Sequence, residues 1–175
     1  MSSSFDLPDV DRFLCGTEGP AGQRVFYLQA ITSTAVVTLR CEKQQVAILA
    51  DYLERVLATH ELPSGPPAVF GELAQPLIPE WIVGGLAVAI NEATGQVVIV
   101  AEELVPEDDS DTDDDALGDG FEDEVDGARA RFSLTVSQVS EFIRGAREAV
   151  AGGRPTCRLC GRPIDPEGHA CPRMN

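Results

Sequence analysis

Cys157, Cys160, His169 and Cys171 lie within 15 residues, in the string Cys157-Arg-Leu-Cys160-Gly-Arg-Pro-Ile-Asp-Pro-Glu-Gly-His169-Ala-Cys171. A Cys-x-x-Cys pair, an eight-residue loop and a His-x-Cys pair supply three thiolates and one imidazole. That donor set fills the tetrahedral shell of a structural zinc ion and leaves no position open for a substrate. Gly161 after the second cysteine permits a tight knuckle turn, whose backbone amides can face the sulfurs. Pro163 and Pro166 stiffen the intervening loop. The expectation is a metal clip with a structural role, not a reaction centre. Arg154, Arg158, Arg162 and Arg173 surround it and make a small basic knob.

No other constellation supplies a reaction. The acidic stretch holds Asp111, Asp113, Asp115, Asp119 and Glu122, which fit positions 1, 3, 5, 9 and 12 of a calcium loop. Ala116 stands where that loop needs glycine for its sharp turn, so a solvated, self-repelling loop is the better reading. Gly16-Thr-Glu-Gly19-Pro-Ala-Gly22 is glycine-rich but leads into a strand and lacks the Lys-Ser/Thr of a phosphate loop. A hairpin loop is expected there. Of two histidines, His169 belongs to the metal set, and His60 falls at the end of a helix, where an imidazolium favours the dipole. Cys15 and Cys41 fall in strands as buried packing residues, although a thiol just before a helix, as at Cys41, can have a lowered pKa. Trp81 opens a strand and anchors the core.

The elements that carry these residues read as two similar halves. Gly22-Gln-Arg-Val-Phe-Tyr-Leu28 and Gly95-Gln-Val-Val-Ile-Val100 share a turn-to-strand pattern at an offset of 73. Cys41 to Ala58 and Leu134 to Ala151 share a helical apolar register at an offset of 93. The 20-residue difference matches the acidic insert, 106–126, placed between the second and third strands of the second half. Strands are predicted near 12–17, 23–31, 34–41, 82–91, 96–105 and 128–134, and helices over 42–60 and 135–151. Val46, Leu49, Leu53, Val56 and Leu57 mark one helix face; Val139, Phe142, Ile143, Ala146 and Val150 mark the other. Thr135-Val-Ser-Gln138 is a capping box, Asn91 to Gly95 a hairpin turn, and Gly152-Gly153 a left-handed helix end. The fold class is α+β: duplicated βββα units forming a mainly antiparallel sheet with two helices on one face, plus a C-terminal zinc knuckle. The duplicated domain covers 1–152, with one copy over 12–60 and the other over 80–151, and the knuckle tail covers 153–175. Prolines at 63, 66, 67, 76 and 79 mark the linker between copies.

Charge is uneven along the chain. Residues 106–126 hold 12 acids and no base, while residues 127–175 hold 8 arginines against 4 acids. The formal net charge is −16. Residues 153–175 lack interleaved aromatic side chains, and a strongly anionic chain disfavours phosphate backbones, so nucleic-acid binding through the tail ranks third among the functional readings. No apolar run approaches the length of a membrane span. The first residues lack a signal-peptide pattern, and five cysteines, three with metal-ligand spacing and two as free thiols, point to a reducing, cytoplasmic setting.

Phe13 to Thr17, Gly22 to Ala30, Glu42-Lys-Gln-Gln-Val46 and the Cys157 to Arg173 motif resemble a conserved actinobacterial protein family of about 180–200 residues, a domain of unknown function. The resemblance covers nearly the whole chain and implies no activity. It does imply genomic neighbours: a histidine-phosphatase-like and a lipid-kinase-like protein. The leading expectation is therefore a non-enzymatic, zinc-binding interaction or adaptor module for a protein partner, with neighbouring gene products as candidates. The second is an enzyme or subunit with a site between the copies, where Arg24, Arg40, Glu42 and Lys43 are the candidate groups. Attached to the third reading, nucleic-acid binding, is the hypothesis that the insert folds over the basic tail and competes with an anionic partner.

Overall fold

The computed structural model describes residues 2–69, 71–106, 127–153, 157–162, 164 and 168–174. Period-two alternation of β-branched and aromatic residues produces the strands. In chain order they are β1 (Phe5–Leu7), β2 (Arg12–Glu18), β3 (Val25–Ile31) and β4 (Val36–Cys41), followed by helix α1 (Lys43–Thr59). Then come β5 (Val83–Asn91), β6 (Gln96–Glu103), β7 (Arg129–Leu134) and helix α2 (Val136–Ala151). The order strand–strand–strand–helix thus occurs twice. The acidic insert, with its five candidate calcium-loop residues, lies between β6 and β7 and outside the described residues, apart from Pro106.

The strands divide into two sheets where the sequence pattern pointed to one. One sheet has the order β2-β3-β4, all antiparallel; the other has the order β1-β7-β6-β5 and is antiparallel except where β1 runs parallel to β7. The sheets meet where the chain changes from one to the other. Residues 80–82 run beside β4 through a parallel bridge, Arg40 to Ile82, with the Arg40 N–H donating to Trp81 O (3.0 Å) and the Glu80 N–H to Thr38 O (2.8 Å). A register shift between Val83 and Gly85 then turns the chain onto β6. Bulges at such corners let a strand switch sheets. β1 makes the matching junction: it pairs in parallel with β7 and leads into β2. Three residues are too short to show periodicity, which is why β1 has no signature in the sequence.

The helices lock these junctions with the third residue of each. Gln45 Nε2 donates to Val83 O at 3.0 Å, and Gln138 Nε2 donates to Val10 O. Each helix therefore holds the lead segment of the opposite half. Thr135 and Gln138 form the expected capping box, with the Thr135 N–H donating to Gln138 Oε1 at 2.8 Å. The two helices pack on one another, and Arg147 of α2 bridges Asp51 and Glu54 of α1. In the core, Phe13 of β2 packs against Phe132 of β7 and Phe142 of α2, with ring centroids 5.2 and 5.0 Å apart. Trp81 is buried, its indole N–H donating to Ser3 O at 3.0 Å.

Gly95 takes φ +69° in the hairpin after Asn91, as that turn requires. The left-handed end expected at Gly152 is absent: its φ is −66°. Each of those glycines lies beside a cation from another element instead. A Cβ on Gly152 would meet the Arg24 guanidinium at 2.5 Å, and one on Gly153 would meet Lys43 Nζ at 2.9 Å. α2 has no basic residue in its last turn, so Arg24 and Lys43 supply cations to its C-terminal dipole from other elements.

The proline-rich linker forms no helix or strand among its described residues, yet it is pinned. Gln29 on β3 is fully buried; its amide donates to Thr38 Oγ1 and Ala74 O, both at 3.0 Å, and accepts from the Ala74 N–H at 2.7 Å. The outer face of the β2-β3-β4 sheet is closed in this way.

Candidate metal centre

Three backbone features shape the tail around its sulfurs. Gly161 adopts φ +72°, a left-handed conformation that glycine takes without strain, and its N–H donates to Cys157 O at 2.8 Å. The Cys157 N–H donates to Arg162 O at 2.7 Å, closing the first turn. Gly168, at φ +92°, precedes His169, and the Met174 N–H donates to Cys171 O at 3.0 Å. Nothing lies within 4 Å of a Cβ on either glycine, so conformation rather than space selects them.

These turns bring together all four ligands expected from the sequence. One donor atom from each of Cys157, Cys160, His169 and Cys171 lies within 4.8 Å of the others. Cys157 Sγ and Cys171 Sγ are 3.8 Å apart, and Cys160 Sγ is 3.2 Å from His169 Nε2. Two zinc–thiolate bonds of about 2.3 Å at a tetrahedral angle place their sulfurs about 3.8 Å apart. A disulfide needs about 2.05 Å, and all five cysteines are free. The donor set fits a tetrahedral, thiolate-preferring ion. Bound there, the ion would cross-link the two pairs; His169 would coordinate through Nε2.

The electrostatics favour thiolate at one sulfur and oppose it at another. The N–H groups of Cys160 and Leu159 point at Cys157 Sγ and lower its thiol from 9.0 to about 7. The Arg173 N–H draws Cys171 the same way, but desolvation and the sulfurs of Cys160 and Cys157 outweigh it and leave that thiol raised. Adjacent thiols resist ionising together. A dication removes that conflict.

A family model described as a protein of unknown function (DUF3090) matches residues 5–171. The chain belongs to this family. The match runs from the first residue of β1 to the last of the four ligands, so the DUF3090 unit includes both the sheets and the metal-ligand cluster. No curated protein and no solved structure matches the chain.

The other candidate groups do not converge. Arg24 and Lys43 meet at the end of α2, whereas Arg40 lies exposed on β4 between the buried Leu39 and Cys41. Glu42 caps α1, its N–H donating to Gln45 Oε1 at 2.8 Å. His60 is the exposed C-cap of α1. Cys41, a candidate for a lowered pKa, is instead pushed up by burial first and then by Cys15 and Glu42. Burial alone raises Cys15 to about 12. Both thiols are packing residues. Gly19 and Gly22 take positive φ in the loop joining β2 to β3, as a hairpin demands. Arg154, Pro163 and Pro166 lie outside the described residues. The amides facing Cys157 belong to the tight turn that Gly161 was expected to permit.

Proposed function

We propose that this DUF3090 member is a non-enzymatic interaction module whose C-terminal knuckle is shaped by a structural zinc ion. The observation that carries this reading is the gathering of three sulfurs and one imidazole nitrogen within 4.8 Å. Four protein ligands complete a tetrahedral shell, so the ion has no position for water or substrate. The knuckle exposes Arg158, Leu159, Arg162 and Arg173. An apolar tip among guanidinium groups suits an acidic protein surface, since arginine combines charge with planar stacking. The histidine-phosphatase-like and lipid-kinase-like proteins implied as genomic neighbours are the first partners to examine. The reciprocal bonds of Gln45 and Gln138 support an origin of the two halves by internal duplication.

Metal analysis of native protein should find about one zinc per chain. Capture of a neighbouring gene product by the wild type, but not by Cys160→Ser, would support the adaptor role. Protein purified without transition metal, or with Cys157 and Cys171 oxidised to each other, overturns the zinc reading.

A further inference from the structure

Tyr52 of α1 and Gly145 of α2 stand at equivalent places, 93 residues apart, in two helices that begin in the same register. α2 lies close against β2: a Cβ on Gly145 would be 3.9 Å from Cys15 O. In the other half a phenol occupies that place. Between α1 and β5 lies a groove of about 420 Å³, lined by Gln45, Ile48, Tyr52, Leu86 and Val88 among others. Ile48 is 59% exposed and Tyr52 43%.

The same asymmetry leaves a strand edge open. β1 has three residues, β2 has α2 against it, and β4 is bordered by residues 80–82. β5 has nine residues, no charge and no proline, and from Gly85 onward no named strand on its outer side. Leu86, Val88 and Ile90 face the core yet stay only half-buried. Unpaired edges of this kind accept another strand. At the far end of the lining, the Arg55 guanidinium sits 5.5 Å from the Tyr52 ring centroid and forms no ion pair among the described residues.

We propose that this groove docks an extended apolar segment of a partner protein, added as a strand to β5, with an acidic residue placed at Arg55. The backbone edge sets the extended conformation, and the uncharged lining selects apolar side chains. Arg55 supplies the charge complement. A second copy, pairing β5 with its twin, is the competing occupant that the test distinguishes. The site does not depend on the metal.

The test uses full-length protein and fluorescence polarisation. The probe is a labelled peptide of alternating valine and threonine ending in aspartate, with three controls: a lysine-ended version, an N-methylated version and a charge-scrambled version. Binding should weaken at least about tenfold in Ile48→Asp, a change on an exposed surface, and about as much on N-methylation of the strand amides. Arg55→Glu should remove the preference for aspartate over lysine while circular dichroism stays unchanged. No binding at about 1 mM peptide overturns the proposal, as does equal binding by Ile48→Asp or by the N-methylated peptide. A dimer in sedimentation equilibrium that Ile48→Asp dissolves would assign the groove to a second copy and also overturn it.

Discussion

Two chemically distinct kinds of thiol coexist in the metal-free chain. Cys157 receives two backbone N–H groups and ionises at about 7, whereas Cys15 is pushed to about 12 by burial and Cys41 is raised in the same direction. Thiolates react and thiols do not. Iodoacetamide should therefore modify the knuckle thiols, Cys157 among them, rapidly in chelated protein and leave Cys15 and Cys41 untouched until denaturant is added; peptide mass mapping reads the order. Uniform labelling of all five cysteines would contradict this assignment. The polar counterpart is Gln29, which satisfies both backbone groups of Ala74. Gln29→Leu strips those groups of their partner and should cost about 1–3 kcal/mol, measured as a lower denaturation midpoint. The ligand set was legible in the sequence because sulfur and imidazole at fixed spacing have few other uses. Gln29 was not legible, because a glutamine flanked by strand residues carries no mark of what it will bind.

The helices and six of the strands could be read from periodicity, since apolar faces repeat at 3.6 or 2 residues wherever one side is buried. What periodicity does not encode is where a sheet ends. The split into two sheets depends on the shift between Val83 and Gly85 and on the three-residue β1, both local and short. It also does not encode how near a helix lies to a strand. That distance is set at single positions such as Gly145. A Cβ on Gly145 would stand 3.9 Å from Cys15 O, an ordinary contact distance for a methyl group. Gly145→Ala should thus fit and stabilise the protein by up to about 1 kcal/mol through helix propensity. Gly145→Tyr should force α2 off β2 and destabilise it by about 1–3 kcal/mol. Urea denaturation compares the two, and a destabilising alanine would show that α2 lies closer to β2 than described.

For the whole molecule, the central question is whether the clip and the sheets fold as one unit. The core cluster draws on both sheets, both helices and Trp81; among the described residues its last buried member is Ala146, with Ala149 and Val150 partly buried against it. The body therefore has its own apolar core, to which no described residue of the knuckle contributes, and the proposed ion is the cross-link expected to hold the knuckle. A structural zinc ion contributes about 10–16 kcal/mol to such a segment, and that energy is local to the residues it cross-links. Chelation should consequently act on one part only. With EDTA, trypsin should cut at Arg158 and Arg173, neither of which precedes a proline, far faster than before. The far-UV spectrum should be unchanged and the main melting temperature should move by only a few degrees, as expected when the cooperative unit excludes the tail. Cys160→Ser should reproduce both effects without chelator. If EDTA instead collapsed the melting transition, the metal would be holding the sheets together, and the knuckle would be part of the fold's core instead of an appendage displayed by it.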